Sequence, residues 1–278
     1  MNDSKVLSAD EVKRQELNIL LQFDSFAKEN GFQYSLCGGT LLGAIRHKGF
    51  IPWDDDIDVM VPRPDYDRII EFAKEHGSIG SFRFTGFEID GFPMPFIKMT
   101  DSRIAVKDHA TRDDIPLNLW IDIFPLDGIT SQEDKFPAIY RKSYFYKALI
   151  KTGNYKFVGA GKTRAKRIAR MVATPFVEVF NLNTYAEKRL IKLAKSGPHY
   201  SEAKWVGEIV WGPYGIKEYF RKSLFERTVP VEFEGHFFPA LQGWDEHLRS
   251  VYGDYMKIPP ENERVNHGLK AWRVGESS

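Results

Sequence analysis

Residues 36–61 read LCGGTLLGAIRHKGFIPWDDDIDVMV, and the order of features in this stretch decides the fold. Residues 32–37 alternate apolar with polar and read as a strand, with Gly38-Gly39 at its end. The spacing predicts a short helix over 40–46 and a turn at Lys48-Gly49. Trp53 then leads four carboxylates, Asp54, Asp55, Asp56 and Asp58, into a strand expected over 55–61. On a strand, residues two apart share a face, so Asp56 and Asp58 point one way and Asp55 the other. Asp54 has the same parity as Asp56 but lies at the turn. Carboxylates this dense beside an apolar strand need a cation or a hydrogen-bond network. Mg²⁺ takes such oxygen ligands together with water and substrate phosphates, and Mn²⁺ is the alternative ion. A glycine pair opening a helix lets backbone approach a ligand, with helix amides facing phosphate. Taken singly, the acids could equally form a solvated turn and the glycines an ordinary tight one.

The order is more specific than its parts. Strand, Gly-Gly-Thr, helix, turn and Asp-x-Asp strand is the arrangement of polymerase-β-like nucleotidyltransferases, in which a third acid usually stands on a later strand. Asp122 fits that place, because it interrupts the apolar run Leu119-Trp120-Ile121-Asp122-Ile123-Phe124. A lone carboxylate there is destabilising without a partner. Its bland alternative is a salt-bridged or capped Asp. Asp127, beyond Pro125, reads as a turn residue, since Pro125 should end the strand.

Outward from this core, Ser8 and Glu11 form a capping box for a helix ending near Asn30-Gly31. A further helix is expected over 65–76, and strands over 81–88, 96–100, 104–107 and 117–124. The second half reads as helices over 134–151, 163–180 and 185–195, then strands over 205–211, 227–233 and 236–238 and a helix over 242–252. The tail from Gly253 should be extended and fold back on the body. The expected class is therefore α+β, with a mixed, nucleotidyltransferase-like sheet core and flanking helices. Residues 1–130 would form the catalytic core, and residues 131–278 a helical and short-strand region that completes the cleft.

The segments CGGTLLGAIRHKGFIPWDDDIDVMVPRPDY and WIDIFPLDG, with VYGDYMKIPPENERVNH near the C-terminus, resemble the LicD family, which includes fukutin and fukutin-related protein. The likeness runs from about Gln33 to His267, with the helical middle least diagnostic. It implies transfer of a phospho-alcohol, most simply phosphocholine, from a CDP-activated donor to a hydroxyl of a cell-surface glycan precursor of teichoic acid or lipopolysaccharide type. By motif, Asp56, Asp58 and Asp122 would be the catalytic, metal-binding acids, and Gly38, Gly39 and Thr40 would hold phosphate. The cysteine-based zinc element of some animal members is missing, which predicts no structural zinc.

Arg46, His47 and Lys98 are candidate donor contacts, against the alternatives of a basic helix end and a snorkelling lysine. Trp120, Trp205, Trp211 and Tyr214 are candidates for an aromatic cage around a choline cation. Gly159 to Thr163 imitates a Walker A ending, but Lys156 stands where its first glycine belongs. Between Lys151 and Arg170 the chain carries seven Lys or Arg and no Asp or Glu, a candidate contact for anionic lipid or glycan or simply a solvated face. His267, with Arg264 and Asn266, is a candidate to close over the site.

A net charge near +1 removes the basic field of a general nucleic-acid binder. One cysteine, Cys37, leaves no intramolecular disulfide and fits a reducing compartment. The charged N-terminus and the lack of any run near the roughly 20 apolar residues of a membrane span predict a cytoplasmic protein, at most peripheral at the inner membrane face. Two rivals remain at this level. A GT-A glycosyltransferase also uses Asp-x-Asp but needs a longer nucleotide-binding half before it, and a non-catalytic adaptor would not need the motif intact.

Overall fold

The computed structural model describes residues 6–156, 164–264 and 268–274, with backbone only at 164–170 and 263. Helix α1 (Ala9–Asn30) starts on the expected capping box: the Ser8 hydroxyl accepts the Glu11 N–H, and Glu11 accepts the Ser8 N–H. Strand β1 (Ser35–Leu36) leads through Cys37 into α2 (Gly38–His47), so the glycine pair forms the first helical turn rather than preceding it. Then follow β2 (Asp58–Pro62), α3 (Arg63–His76), β3 (Ser78–Ile79), β4 (Phe82–Thr85), α4 (Phe87–Asp90), β5 (Ile97–Lys107) and β6 (Leu117–Ile129). Helices α5 (Phe136–Asn154), α6 (Arg164–Val179) and α7 (Leu182–Ala194) form the middle. Short strands β7 (Trp205–Gly207) and β8 (Tyr219–Arg221), the hairpin β9 (Thr228–Phe233) and β10 (His236–Leu241), α8 (Trp244–Tyr252) and β11 (Lys270–Arg273) complete the chain.

The class is α+β, as expected. The main sheet runs β1-β2-β6-β5-β4-β3, with β11 on β5 and β7-β8 on β6. Only β2 and β6 pair in parallel among its described strands. Both are apolar almost throughout, as strands buried on two faces must be. Helix α1 packs Ile19, Leu20 and Phe23 into the same core as Val59, Met60, Leu119 and Ile121. The tail does fold back, through β11.

Four further expectations change. Strand β2 begins at Asp58, so Asp54, Asp55 and Asp56 lie in a loop closed by the Asp54 N–H on the Ile51 carbonyl. Strand parity therefore does not aim Asp56. The pieces at 96–100 and 104–107 are one strand whose register shifts between Asp101 and Ala105. The expected strand over 81–88 stops at Thr85, and α4 takes Glu88. Strand β6 runs through Pro125 to Ile129, because β5 pairs no further than Ile123 and β7 only from Asp127, leaving no ladder bond for Pro125 to break.

Candidate active site

Three adjacent strands place three charged side chains in one row. Asp58 on β2 is in register with Asp122 on β6, and Asp122 with Lys98 on β5. Lys98 Nζ donates to Asp122 Oδ1 and lies 4.1 Å from the centre of the Trp120 ring. The ammonium is thus held by a carboxylate and an aromatic face. The expected third acid has its partner, and that partner is a residue the sequence also nominated.

Helix α2 starts directly over this row. Cys37 caps it without a side-chain bond and donates its N–H to the Asp58 carbonyl. Gly38 has φ +54°, and a Cβ there would stand 2.9 Å from Asp58 Oδ2; one on Gly39 would stand 2.5 Å from Asp54 Oδ2. Backbone conformation favours glycine at Gly38, and at either position a Cβ would have to displace a carboxylate oxygen. Thr40 is buried, and its hydroxyl accepts the Asp58 N–H at 2.8 Å, which locks α2 to β2.

These groups line a cavity of about 710 Å³ that contains Gly38, Gly39, Arg46, Asp56, Asp58, Lys98 and Asp122. The structure does not bring Thr40 or His47 to it. The Thr40 hydroxyl is spent on β2, and His47 Nε2 accepts from Arg46 Nε at 2.9 Å. Arg46 also donates to the Tyr255 carbonyl at 2.7 Å, so it fastens the tail over the cavity mouth. Of the cage candidates, Trp120, Trp211 and Tyr214 line the cavity, whereas Trp205 packs on Phe136 instead.

The electrostatics are lopsided. Among the described residues, eight Asp or Glu side chains line the cavity against Arg46, Lys98 and Lys257. Burial, then Asp56, Asp122 and Asp54, hold the Asp58 carboxyl well above the usual range. Beneath the loop, Glu16 of α1 is pushed up by burial and by Asp56 and Asp55, and its Oε2 has no hydrogen-bond partner. An anionic ligand can enter such a cavity only with cations. Among the described residues, no group of three or more His, Cys, Asp or Glu side chains stands ready to hold a metal, so the three acids do not close into a cage. Asp56 and Asp58 still fit Mg²⁺, which is usually held by one or two carboxylates plus water and substrate phosphate.

Two buried acids of the lining carry a signal that the sequence reading did not use. Glu208 and Glu218 are buried in the cavity lining, and burial pushes them up to about 7 and about 9. Lys147 beside them is brought down to about 8 by burial. Glu218 accepts the Tyr214 N–H at 3.1 Å, and the Tyr214 and Tyr252 rings meet edge-on at 5.0 Å. Glu208 carried the same signal as Asp122, a lone acid in an apolar run (Val206 to Trp211). Asp127 is the other surprise: it is 1% exposed and takes a two-pronged bond from Arg63 at 2.6 and 2.9 Å. The Walker-like Gly159 to Thr163, and Asn266 and His267, lie outside the described residues.

A family profile described as "LicD/FKTN/FKRP, nucleotidyltransferase domain" matches residues 31–160. The chain is similar to the lipopolysaccharide cholinephosphotransferase LicD of Haemophilus influenzae, 31% identical over 260 residues that span 91% of this chain and 93% of that protein. It also resembles an uncharacterized protein of Rickettsia prowazekii, 36% identical over 52 residues, 19% of this chain and 20% of that one.

Proposed function

The chain belongs to the LicD/FKTN/FKRP family, and on that premise we propose that it transfers phosphocholine from CDP-choline to a hydroxyl of a lipopolysaccharide-type glycan, releasing CMP. As a member of the family it is a phosphotransferase. Its near full-length likeness to an enzyme named for lipopolysaccharide favours that acceptor over teichoic acid. The reading includes a polymerase-β-type core in residues 1–130, with the later residues completing the cleft, and a cytoplasmic setting.

One observation carries the reaction class: the row Lys98, Asp122, Asp58 under the Gly38-Gly39 start of α2, inside one cavity. In this reading the first-turn amides of α2 face the donor diphosphate, where helix ends favour anions. Asp56 and Asp58 would hold Mg²⁺, or Mn²⁺, which when bound neutralises charge on the diphosphate. Lys98 orients Asp122 through their bond. The acceptor hydroxyl oxygen attacks the phosphorus bearing the choline, the bond to CMP breaks, and Asp122 takes the hydroxyl proton. Trp211 and Tyr214 offer aromatic surface to the alcohol.

Donor identity is tested by thermal shift with CDP-choline, CDP-ribitol, CDP-glycerol, a UDP-sugar and ATP, each with Mg²⁺. The largest stabilisation should come from CDP-choline. A preference for the UDP-sugar would overturn the reading in favour of a glycosyltransferase.

A further inference from the structure

Helix α6 turns large apolar side chains to solvent. Val172, Phe176, Val179 and Phe180, at the end of the helix and just past it, recur at helical spacing and are 58%, 60%, 78% and 66% exposed, whereas Val177 on another side is 2% exposed. A surface helix ordinarily buries its apolar stripe, and an exposed one marks an interaction surface. The helix itself opens with charge of one sign: its first turns carry Arg164, Lys166, Arg167 and Arg170 in an interval, Lys151 to Arg170, that holds no acid, whereas Lys151 lies over the Trp211 ring and Lys156 pairs with Asp113.

An exposed apolar stripe beside a basic interval is the composition of a helix lying in a membrane interface, its apolar side chains at the acyl boundary and its bases against anionic headgroups. A second copy of this chain fits poorly, because a two-fold contact would juxtapose two copies of the same basic interval. No helix among the described residues is long and apolar enough to cross a membrane, so such a contact would lie on the surface. The helix is also tied to the cavity. Arg112 pairs with Glu178 of α6 and donates its N–H to the Asn154 carbonyl at 3.1 Å, and its neighbours Asp108, Ala110 and Thr111 line the cavity.

We propose that the α6 stripe seats this protein on an anionic bilayer, with the cavity rim held beside the lipid surface. Delivery of a lipid-linked glycan to the cavity is the part that rests on the proposed function; the seating itself does not. The test is co-sedimentation of the full chain with vesicles of phosphatidylcholine alone and of phosphatidylcholine mixed with phosphatidylglycerol. Binding is expected to the mixed vesicles only and to weaken with salt. Phe176→Ser with Phe180→Ser should weaken it roughly tenfold or more, as should Lys166→Glu with Arg167→Glu. Both variants should keep the wild-type thermal shift with CDP-choline, which separates a failed docking surface from a failed donor assignment. Absence of wild-type binding to the mixed vesicles would overturn the proposal. So would unchanged binding by both variants, or a wild-type dimer in solution that the phenylalanine variant converts to monomer.

Discussion

Asp122 and Asp127 stand on the same strand, five residues apart, and each meets one basic side chain. Asp127 and Arg63 are sealed in the body of the protein, with side chains 1% and 12% exposed and two hydrogen bonds between them. Asp122 and Lys98, with side chains 14% and 6% exposed, share one hydrogen bond, and both line the large cavity. The difference teaches that an acid in an apolar strand does not by itself mark a site. Whether the pair opens onto the cavity decides.

That contrast can be broken by substitution. Asp122→Asn should cut CMP release by roughly 10²–10⁴-fold, with a modest stability loss of about 1–2 kcal/mol. Steady-state release beside a denaturant melt reads both. Asp127→Ala should do the reverse, costing about 3 kcal/mol, because Arg63 stays charged and buried with the longer 3.4 Å pairing to Asp67 in place of its two-pronged bond. Its turnover per folded molecule should stay near wild type. If Asp127→Ala loses activity out of proportion to folded protein, the two ends of β6 are not separate in function.

Arg63→Lys sharpens the point at smaller scale. It keeps the charge but not the planar fork, so about 1–2 kcal/mol of stability should be lost, measured by the shift in the urea midpoint.

A pH-dependent effect concerns Glu218. Burial raises Glu218 from 4.5 to about 9, so the folded state binds its proton more tightly than the unfolded chain does. Its contribution to stability is full below about 4.5 and is lost as pH rises towards 9. Glu218→Gln should therefore gain stability relative to wild type between pH 5 and about 9. Lys147, lowered to about 8, acts in the opposite sense, so the difference between the two proteins is the quantity to read. An identical pH slope in both would contradict the buried-carboxyl account.

Much of the candidate site is legible in the sequence. Gly38-Gly39, Asp56, Asp58 and Asp122 share a cavity because local order and the parallel β2–β6 register place them there. Lys98 was nominated from its apolar flanks and is the residue opposite Asp122. What escaped depended on long-range pairing. Pro125 looked like a strand end because nothing local reveals that β5 stops and β7 starts on either side of it. Asp127 therefore reads locally as a turn residue, and its partner Arg63 stands 64 residues away in the sequence. The aim of Asp56 was derived from strand parity, although it precedes the strand. Glu208 and Glu218 reach the cavity only by tertiary packing.

In the proposed function, donor chemistry occurs where Asp58 and Asp122 meet the start of α2. The most direct measurement is Mg²⁺-dependent CMP release from CDP-choline by wild type and Asp58→Ala, with circular dichroism confirming that the variant is folded. The account predicts release by the wild type and, from the variant, at least about 10³-fold less. A folded Asp58→Ala protein that still releases CMP in a Mg²⁺-dependent way would contradict it.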